Sequence, residues 1–266
     1  SNLNLNPKVL KAIDEAGYET PTPIQADAIP HALEGRDVLG IAQTGTGKTA
    51  SFTLPMITLL ARGRARARMP RSLVLCPTRE LAAQVAENFD TYSKHVKLTK
   101  ALLIGGVSFK EQDALIDKGV DVLIATPGRL LDHFERGKLL LTGVQIMVVD
   151  EADRMLDMGF IPDIERIFSL TPFTRQTLFF SATMPKEVLR LCKEVTEKLL
   201  AFRDGELPPG EIEFLREHLH ACPPCLHLFD GCEEVIALLE RLRPVNMPTD
   251  FLQRMKAKLK DADCGH

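Results

Sequence analysis

Ala42-Gln43-Thr44-Gly45-Thr46-Gly47-Lys48-Thr49 decides the fold of this chain, together with Asp150-Glu151-Ala152-Asp153 about 100 residues later. The first stretch closes a short apolar run and opens a helical pattern at Lys48. Strand, Gly-rich turn and helix in that order aim backbone N–H groups and a helix N-terminus at one point, an arrangement suited to phosphate. The second stretch ends the apolar run 144–149. Its carboxylates therefore sit at the end of a buried strand, where a charge needs a partner. A Mg²⁺ that bridges phosphates supplies one. Each half needs the other, and the pair indicates a site for a nucleoside triphosphate.

Outward from these two stretches, residues 1–186 alternate between apolar runs and helical patterns. Runs 37–42, 72–76, 101–104, 120–125, 145–150 and 176–181 read as strands, and 48–60, 80–90 and 109–118 read as helices. Continuous apolar strands separated by helices predict an α/β domain with a mostly parallel sheet covered by helices on both faces. Ligands of such sheets lie at the carboxyl ends of the strands, where every motif falls. Gly45 and Gly47 let the backbone turn so that 44–47 (with Thr44 and Thr46) cradle phosphates. Lys48 then reaches the outer phosphates, and the Thr49 hydroxyl is a Mg²⁺ ligand. Asp150 is placed to hold the same Mg²⁺ and Glu151 to polarise an attacking water as general base. Ala42 stands where the general phosphate-loop pattern has its first Gly.

These residues resemble the N-terminal RecA-like domain of DEAD-box RNA helicases, bacterial housekeeping branch, over residues 1–186. The resemblance rests on Gly17-Tyr18, Pro21-Thr22-Pro23-Ile24-Gln25, the loop 42–49 and Pro77-Thr78-Arg79-Glu80-Leu81-Ala82-Ala83-Gln84. Gly105-Gly106, Thr126-Pro127-Gly128-Arg129-Leu130-Leu131-Asp132, Asp150–Asp153 and Ser181-Ala182-Thr183 complete it. It implies that Gln25 reads the adenine edge, with Tyr18 near the base. It implies that Thr78, Arg79, Gly106, Thr126, Gly128 and Arg129 line a path for the RNA backbone, and that Ser181 and Thr183 link nucleotide to RNA through Asp153. Contacts confined to phosphate and sugar would make RNA binding independent of sequence. Nothing after Pro185 resembles the family's second RecA-like domain, so weak ATP binding and slow hydrolysis are expected of this sequence alone.

Charge is uneven. Residues 1–186 carry 22 Lys and Arg against 21 Asp and Glu, and residues 187–266 carry 11 against 15. A near-neutral domain can still hold a basic groove, whereas the acidic remainder argues against RNA binding there by charge alone. Arg62-Gly63-Arg64-Ala65-Arg66-Ala67-Arg68 reads as a solvated loop between a helix and the next strand, with an RNA contact as the weaker alternative. No apolar run is long enough to span a membrane, and the N-terminus lacks the regions of a signal peptide. Together these predict a cytoplasmic protein, in which six cysteines are thiols or metal ligands rather than disulfides.

Residues 187–266 read as helices with breaks at proline and glycine. Within them His218 and Cys222 lie one helical turn apart, and Cys225 follows a Pro-Pro turn. These are three ligands of a tetrahedral Zn²⁺ site, with Cys192 or Cys232 as the fourth. The segment from Cys192 through the His-x3-Cys-x2-Cys unit resembles the zinc-binding anti-sigma-factor domain. That likeness favours Cys192 and implies a sigma-factor partner. Three functions follow: the ATP- and RNA-binding half of an RNA helicase, a zinc-dependent anti-sigma-type regulator with an appended nucleotide domain, or a fusion with no joint function. The intact nucleotide and RNA motifs favour the first.

Overall fold

The computed structural model describes residues 3–188 apart from 173 and 186. The zinc-ligand candidates Cys192, His218, Cys222, Cys225 and Cys232 lie outside the described residues. Six strands form one sheet: β1 (Val38–Ile41), β2 (Ser72–Leu75), β3 (Lys100–Leu103), β4 (Val122–Ala125), β5 (Ile146–Asp150) and β6 (Gln176–Ser181). Their order is β1-β6-β5-β2-β4-β3, and every neighbouring pair is parallel. The helices are α1 (Pro7–Glu15), α2 (Pro23–Leu33), α3 (Lys48–Leu60), α4 (Arg79–Ser93), α5 (Phe109–Lys118), α6 (Pro127–Glu135), α7 (Ala152–Asp157) and α8 (Ile161–Leu170).

Successive side chains of a strand point to opposite faces. In the central strands β2, β4, β5 and β6 both faces are buried, while edge strand β1 leaves Leu39 and Ile41 exposed. Val74, Ile124, Val148, Leu178 and Phe180 form one core with Val9 of α1, Ile29 of α2, Phe52 of α3 and Phe89 of α4. Leu73, Leu123, Met147, Val149 and Phe179 form the other with Ile116 of α5, Leu130 of α6, Met155 of α7 and Ile164 of α8. Each fully buried Leu, Ile or Phe contributes about 1.5–3 kcal/mol, so two-sided cover is what makes the strands continuously apolar. Register aligns Leu73 with Leu123 and Met147, and Val74 with Ile124 and Val148, which keeps each face coherent across the sheet.

Helices α1 and α2 precede the first strand. Asn6 accepts from the Lys8 N–H at 2.9 Å, and Pro7 starts α1 with its φ already helical. At α2 the Gln25 Oε1 accepts from the Thr22 N–H at 3.0 Å, and Pro23 follows the cap. Cys76, at the end of β2, is a buried free thiol. Among the described residues no helix is long and apolar enough to cross a membrane.

Candidate nucleotide site and nucleic-acid interface

Sheet order sorts the motifs into two groups along the carboxyl edge. Neighbouring β1, β6 and β5 end in the Gly-rich turn, Ser181-Ala182-Thr183 and Asp150–Asp153. Neighbouring β2, β4 and β3 end in Thr78-Arg79, Thr126-Pro127-Gly128-Arg129 and Gly105-Gly106. Residues remote in sequence thus become two adjoining sites, with the β5–β2 pair as their border.

The first site is a cavity of about 320 Å³ lined by Tyr18, Gln25, Thr44, Gly45, Gly47, Lys48, Thr49, Asp150 and Glu151, among others. Gly47 has φ +92 and caps α3 without any side-chain bond to its first turn, leaving those N–H groups for an anion. A Cβ on Gly47 would lie 2.5 Å from Gln25 Nε2. The Gln25 amide therefore packs on the turn, donating to the Gly47 carbonyl at 3.2 Å. Tyr18 hydrogen-bonds the Tyr92 hydroxyl at 3.0 Å. Thr46 turns its hydroxyl back to the Gln43 carbonyl at 2.7 Å.

Lys48 and Glu151 meet directly, Nζ to Oε1 at 2.7 Å, with side chains 5% and 10% exposed. The Thr44 hydroxyl donates to the same oxygen at 3.1 Å. Glu151 sits at φ +56, a left-handed turn between β5 and α7 that costs a non-glycine residue about 1–3 kcal/mol. This turn lets Asp150 and Glu151 emerge together at the strand end. A phosphate entering the cavity would compete with Glu151 for the ammonium and so release the carboxylate.

Asp150 is 5% exposed, and its Oδ1 has no partner. A buried, unsatisfied carboxylate oxygen beside a phosphate-type loop fits a divalent cation, with Thr49 as the second protein donor. Among the described residues no cluster of three or more Asp, Glu, His or Cys forms a cage. The pattern therefore fits Mg²⁺, which takes its other ligands from phosphate and water. Burial pushes the Asp150 carboxyl up to about 7, assisted by Glu151 and Asp153 and opposed by the Lys48 ammonium. A cation must displace that proton. Mg²⁺-dependent nucleotide affinity is therefore expected to rise with pH up to about 7, by at most about tenfold per unit, and to level off above it. Calorimetry across that range, in buffers of different ionisation enthalpy, would register the released proton; a flat profile would contradict the assignment.

Asp153 joins β5 to β6. Its N–H donates to Ser181 Oγ at 3.0 Å, and its Oδ2 accepts from the Thr183 N–H and hydroxyl, both at 2.9 Å. Burial raises this carboxyl, but the hydrogen bonds from Thr183 and its neighbours outweigh it and hold the pKa below the ordinary value.

In the second group, Thr78 caps α4 by accepting from the Leu81 N–H at 3.3 Å, and Thr126 stands at the start of α6. Arg79 donates to the Gly105 carbonyl at 3.3 Å and passes beside Gly106. A Cβ added at Gly128 would meet nothing within 4 Å, so the protein's own packing does not demand glycine there. Arg129 is turned inward, donating from Nε to Gln112 Oε1 at 2.9 Å and from Nη2 to the Val107 carbonyl at 2.6 Å, its guanidinium 3.4 Å from the Phe109 ring centre.

A family model described as DEAD/DEAH box helicase matches residues 22–191. The chain belongs to the DEAD/DEAH box helicase family. It is 50% identical over 194 residues to the ATP-dependent RNA helicase DeaD of Buchnera aphidicola (Schizaphis graminum), covering 73% of this chain and 32% of that protein. It is 48% identical over 192 residues to DeaD of Mycobacterium tuberculosis, covering 72% and 34%. With the crystal structure of a DEAD box protein from the hyperthermophile Methanococcus jannaschii it shares 40% identity at a TM-score of 0.67, over 72% of this chain and 52% of that one. The chain spans about a third of the length of the DeaD relatives. A second model, described as a putative zinc-finger, matches residues 192–226.

Sequence reasoning missed several residues of this DEAD/DEAH box domain. Val85, Asn88 and Tyr92 wall the cavity from α4, together with Leu81 and Gln84, which the sequence marked only as part of the stretch 77–84. Their helical spacing marked one face, but not what that face meets. More informative is Gln112 on α5, 2% exposed. Its amide donates to the Leu102 and Ile104 carbonyls at 3.4 and 3.0 Å, and its oxygen accepts from Arg129 and from His133 Nε2 at 2.9 and 2.7 Å. One buried side chain thus fastens the end of β3 to the start of α6, and with them Gly105-Gly106 and Arg129. Gln112→Leu is expected to weaken RNA binding about tenfold and leave nucleotide affinity within about twofold, since the cavity lies on the other half of the sheet edge. Fluorescence anisotropy with labelled single-stranded RNA, beside nucleotide titration, would check both; equal losses in the two would mean a general structural role.

Proposed function

We propose that residues 1–186 bind ATP, Mg²⁺ and the RNA backbone as the N-terminal RecA-like half of an RNA-dependent ATPase of the helicase type. The observation carrying this reading is the division of the sheet's carboxyl edge, with Asp150–Asp153 on the border strand between the two sites. In this reading residues 44–47 and Lys48 hold the outer phosphates, and Tyr18 and Gln25 lie at the base. Asp150 and Thr49 would hold Mg²⁺, which when bound would neutralise charge on the phosphates. Glu151, once Lys48 has turned to the phosphates, takes a proton from the attacking water as its oxygen bonds the γ-phosphorus. The bond to the β-phosphate oxygen breaks, giving ADP and inorganic phosphate. Asp153, Ser181 and Thr183 carry the coupling. Thr78, Arg79, Gly106, Thr126 and Gly128 would line the path of phosphate and sugar, and Arg129 would join them by leaving Gln112 and the Val107 carbonyl. The uncapped N-terminus of α6 and the open Gly128 support that role. Duplex unwinding needs a second RecA-like domain, whose arginines accelerate phosphoryl transfer by about 10³–10⁵ in related machines. A cytoplasmic location belongs to the same reading.

Steady-state ATP turnover, with and without single-stranded RNA, tests it. RNA-stimulated turnover would support the whole reading. Binding of ATP with Mg²⁺ but no turnover would reduce it to a nucleotide-binding half, and failure to bind ATP would overturn it.

The putative zinc-finger match over residues 192–226 favours a second activity for the remainder of the chain. Cys192, His218, Cys222 and Cys225 would hold a structural Zn²⁺, worth roughly 10–16 kcal/mol of apparent binding energy to a small helical module. A sigma-factor partner for residues 187–266 rests on the anti-sigma resemblance alone. Purified protein should carry one equivalent of zinc and lose it on Cys222→Ser; metal-free wild-type protein that stays folded would end this reading.

A further inference from the structure

The loop Arg62-Gly63-Arg64-Ala65-Arg66-Ala67-Arg68 joins α3 to β2, so it lies at the amino end of the sheet, away from every motif described above. As sequence it is a basic run of the kind that solvent usually claims. As structure its backbone is fastened at Arg62, Ala65, Arg66 and Arg68. Arg71 donates to the Leu60 and Arg62 carbonyls at 3.0 and 2.6 Å. The Ala65 N–H donates to Asp121 Oδ1 at 3.0 Å, and the Arg68 N–H to the Ile116 carbonyl at 3.0 Å. The Arg68 carbonyl accepts from Leu140 N–H at 2.9 Å, and its guanidinium donates to the Lys138 and Gly137 carbonyls. Arg68 adopts φ +63, a conformation uncommon for a residue with a side chain, which these bonds hold in place.

The side chains are treated differently from the backbone. Arg62, Arg64 and Arg66 are exposed and form no ion pair among the described residues. Two nearby carboxylates are already spent, Asp121 on Arg71 at 3.1 Å and Asp117 on Lys138 at 3.6 Å. Lys118 is exposed and adjoins Gly119, against which the Arg66 backbone packs. The tethered backbone keeps the three Cα atoms close together, so the loop presents a concentrated positive patch on a nearly neutral domain.

We infer that Arg62, Arg64 and Arg66 form a second contact site for the phosphate backbone of RNA, independent of the motif-lined groove. The inference rests on the proposed reading that RNA is a partner of this domain. Arginine suits phosphate because its planar fork donates two parallel bonds. The rest of the loop is Gly and Ala, small enough for close backbone approach. A protein partner would call for an aromatic or aliphatic anchor, and a membrane surface for an apolar face; the loop has neither. Because the patch lies at the opposite end of the strands from Lys48 and Asp153, its binding does not respond to nucleotide.

The test is the combined variant R62Q/R64Q/R66Q in the full chain, with binding of labelled oligouridylate followed over a salt series, with and without an ATP analogue and Mg²⁺. Three lost phosphate contacts should lower the slope of log K against log salt by about 2, equally in both nucleotide conditions. R62K/R64K/R66K, which keeps the charges, should keep most of the slope, separating charge from loop structure. Wild-type affinity and slope in the glutamine variant would overturn the inference while leaving the groove intact. A lowered slope in a protein whose RNA affinity never responds to nucleotide would instead retain this site and remove the coupled groove.

Discussion

Replacing Lys48 by alanine is expected to weaken ATP binding by at least about 100-fold. Two charge-assisted hydrogen bonds to phosphate, at about 1.5–3 kcal/mol each, disappear with the ammonium. The loss has a second part that only the structure reveals. Lys48 is the buried partner of Glu151, and its charge also opposes the rise of the Asp150 pKa. Removing it strands a carboxylate in a largely dry site, which costs about 3–5 kcal/mol of stability where a buried pair is broken on one side. Lys48→Ala should therefore melt earlier than the wild type as well as fail to bind. Adding Glu151→Gln to it should restore the melting temperature without restoring nucleotide binding. Titration with a fluorescent ATP analogue and thermal denaturation of the three variants separate the two effects. Normal nucleotide binding by Lys48→Ala would show that the cavity is assigned wrongly.

Glu151→Gln alone should behave in the opposite way. Glutamine keeps an acceptor oxygen for Thr44 and Lys48, whose bonds to Glu151 Oε1 are 3.1 and 2.7 Å. It also removes a negative charge next to the phosphates, so ATP affinity is expected to hold or improve. What glutamine cannot do is take a proton from water. General-base catalysis contributes about 10²–10⁴-fold, and RNA-stimulated turnover should fall by that factor. Retained turnover with unchanged affinity would mean that another group accepts the proton.

Much of the fold was legible in the residues. The six apolar runs became β1 to β6 with shifts of a residue or two at their ends, because two-sided burial makes the central runs β2, β4, β5 and β6 continuous, while the edge run of β1 stays partly exposed. Helices α1 and α2 carried signals of their own, Asn6-Pro7 and Thr22-Pro23 with Gln25, although apolar periodicity did not single them out. Asp153 bonds Ser181 and Thr183, contacts that no local pattern in the sequence shows. Lys48 and Glu151 were given separate duties by the sequence reading. The structure adds that they hold each other. Gln112 gave no signal at all, since a buried glutamine in a helix looks like any surface glutamine until its four hydrogen bonds are known.

By itself the sequence determined the six strands, the helices α3, α4 and α5, the Gly-rich turn and the acidic strand end, because these depend on local periodicity, turn chemistry and residue type. Strand order belonged to the tertiary structure alone. β1 and β6 lie about 140 residues apart in the chain, yet they pair residue by residue from Val38 with Leu178 to Ile41 with Ser181. β2 comes to lie between β5 and β4. Those choices gather the Gly-rich turn, Asp150–Asp153 and Ser181-Ala182-Thr183 on one half of the sheet edge, and Thr78-Arg79, Gly105-Gly106 and 126–129 on the other. They follow from how helices of particular length and shape cover both faces at once, a packing problem whose terms are spread over the whole domain and written in no single stretch of it.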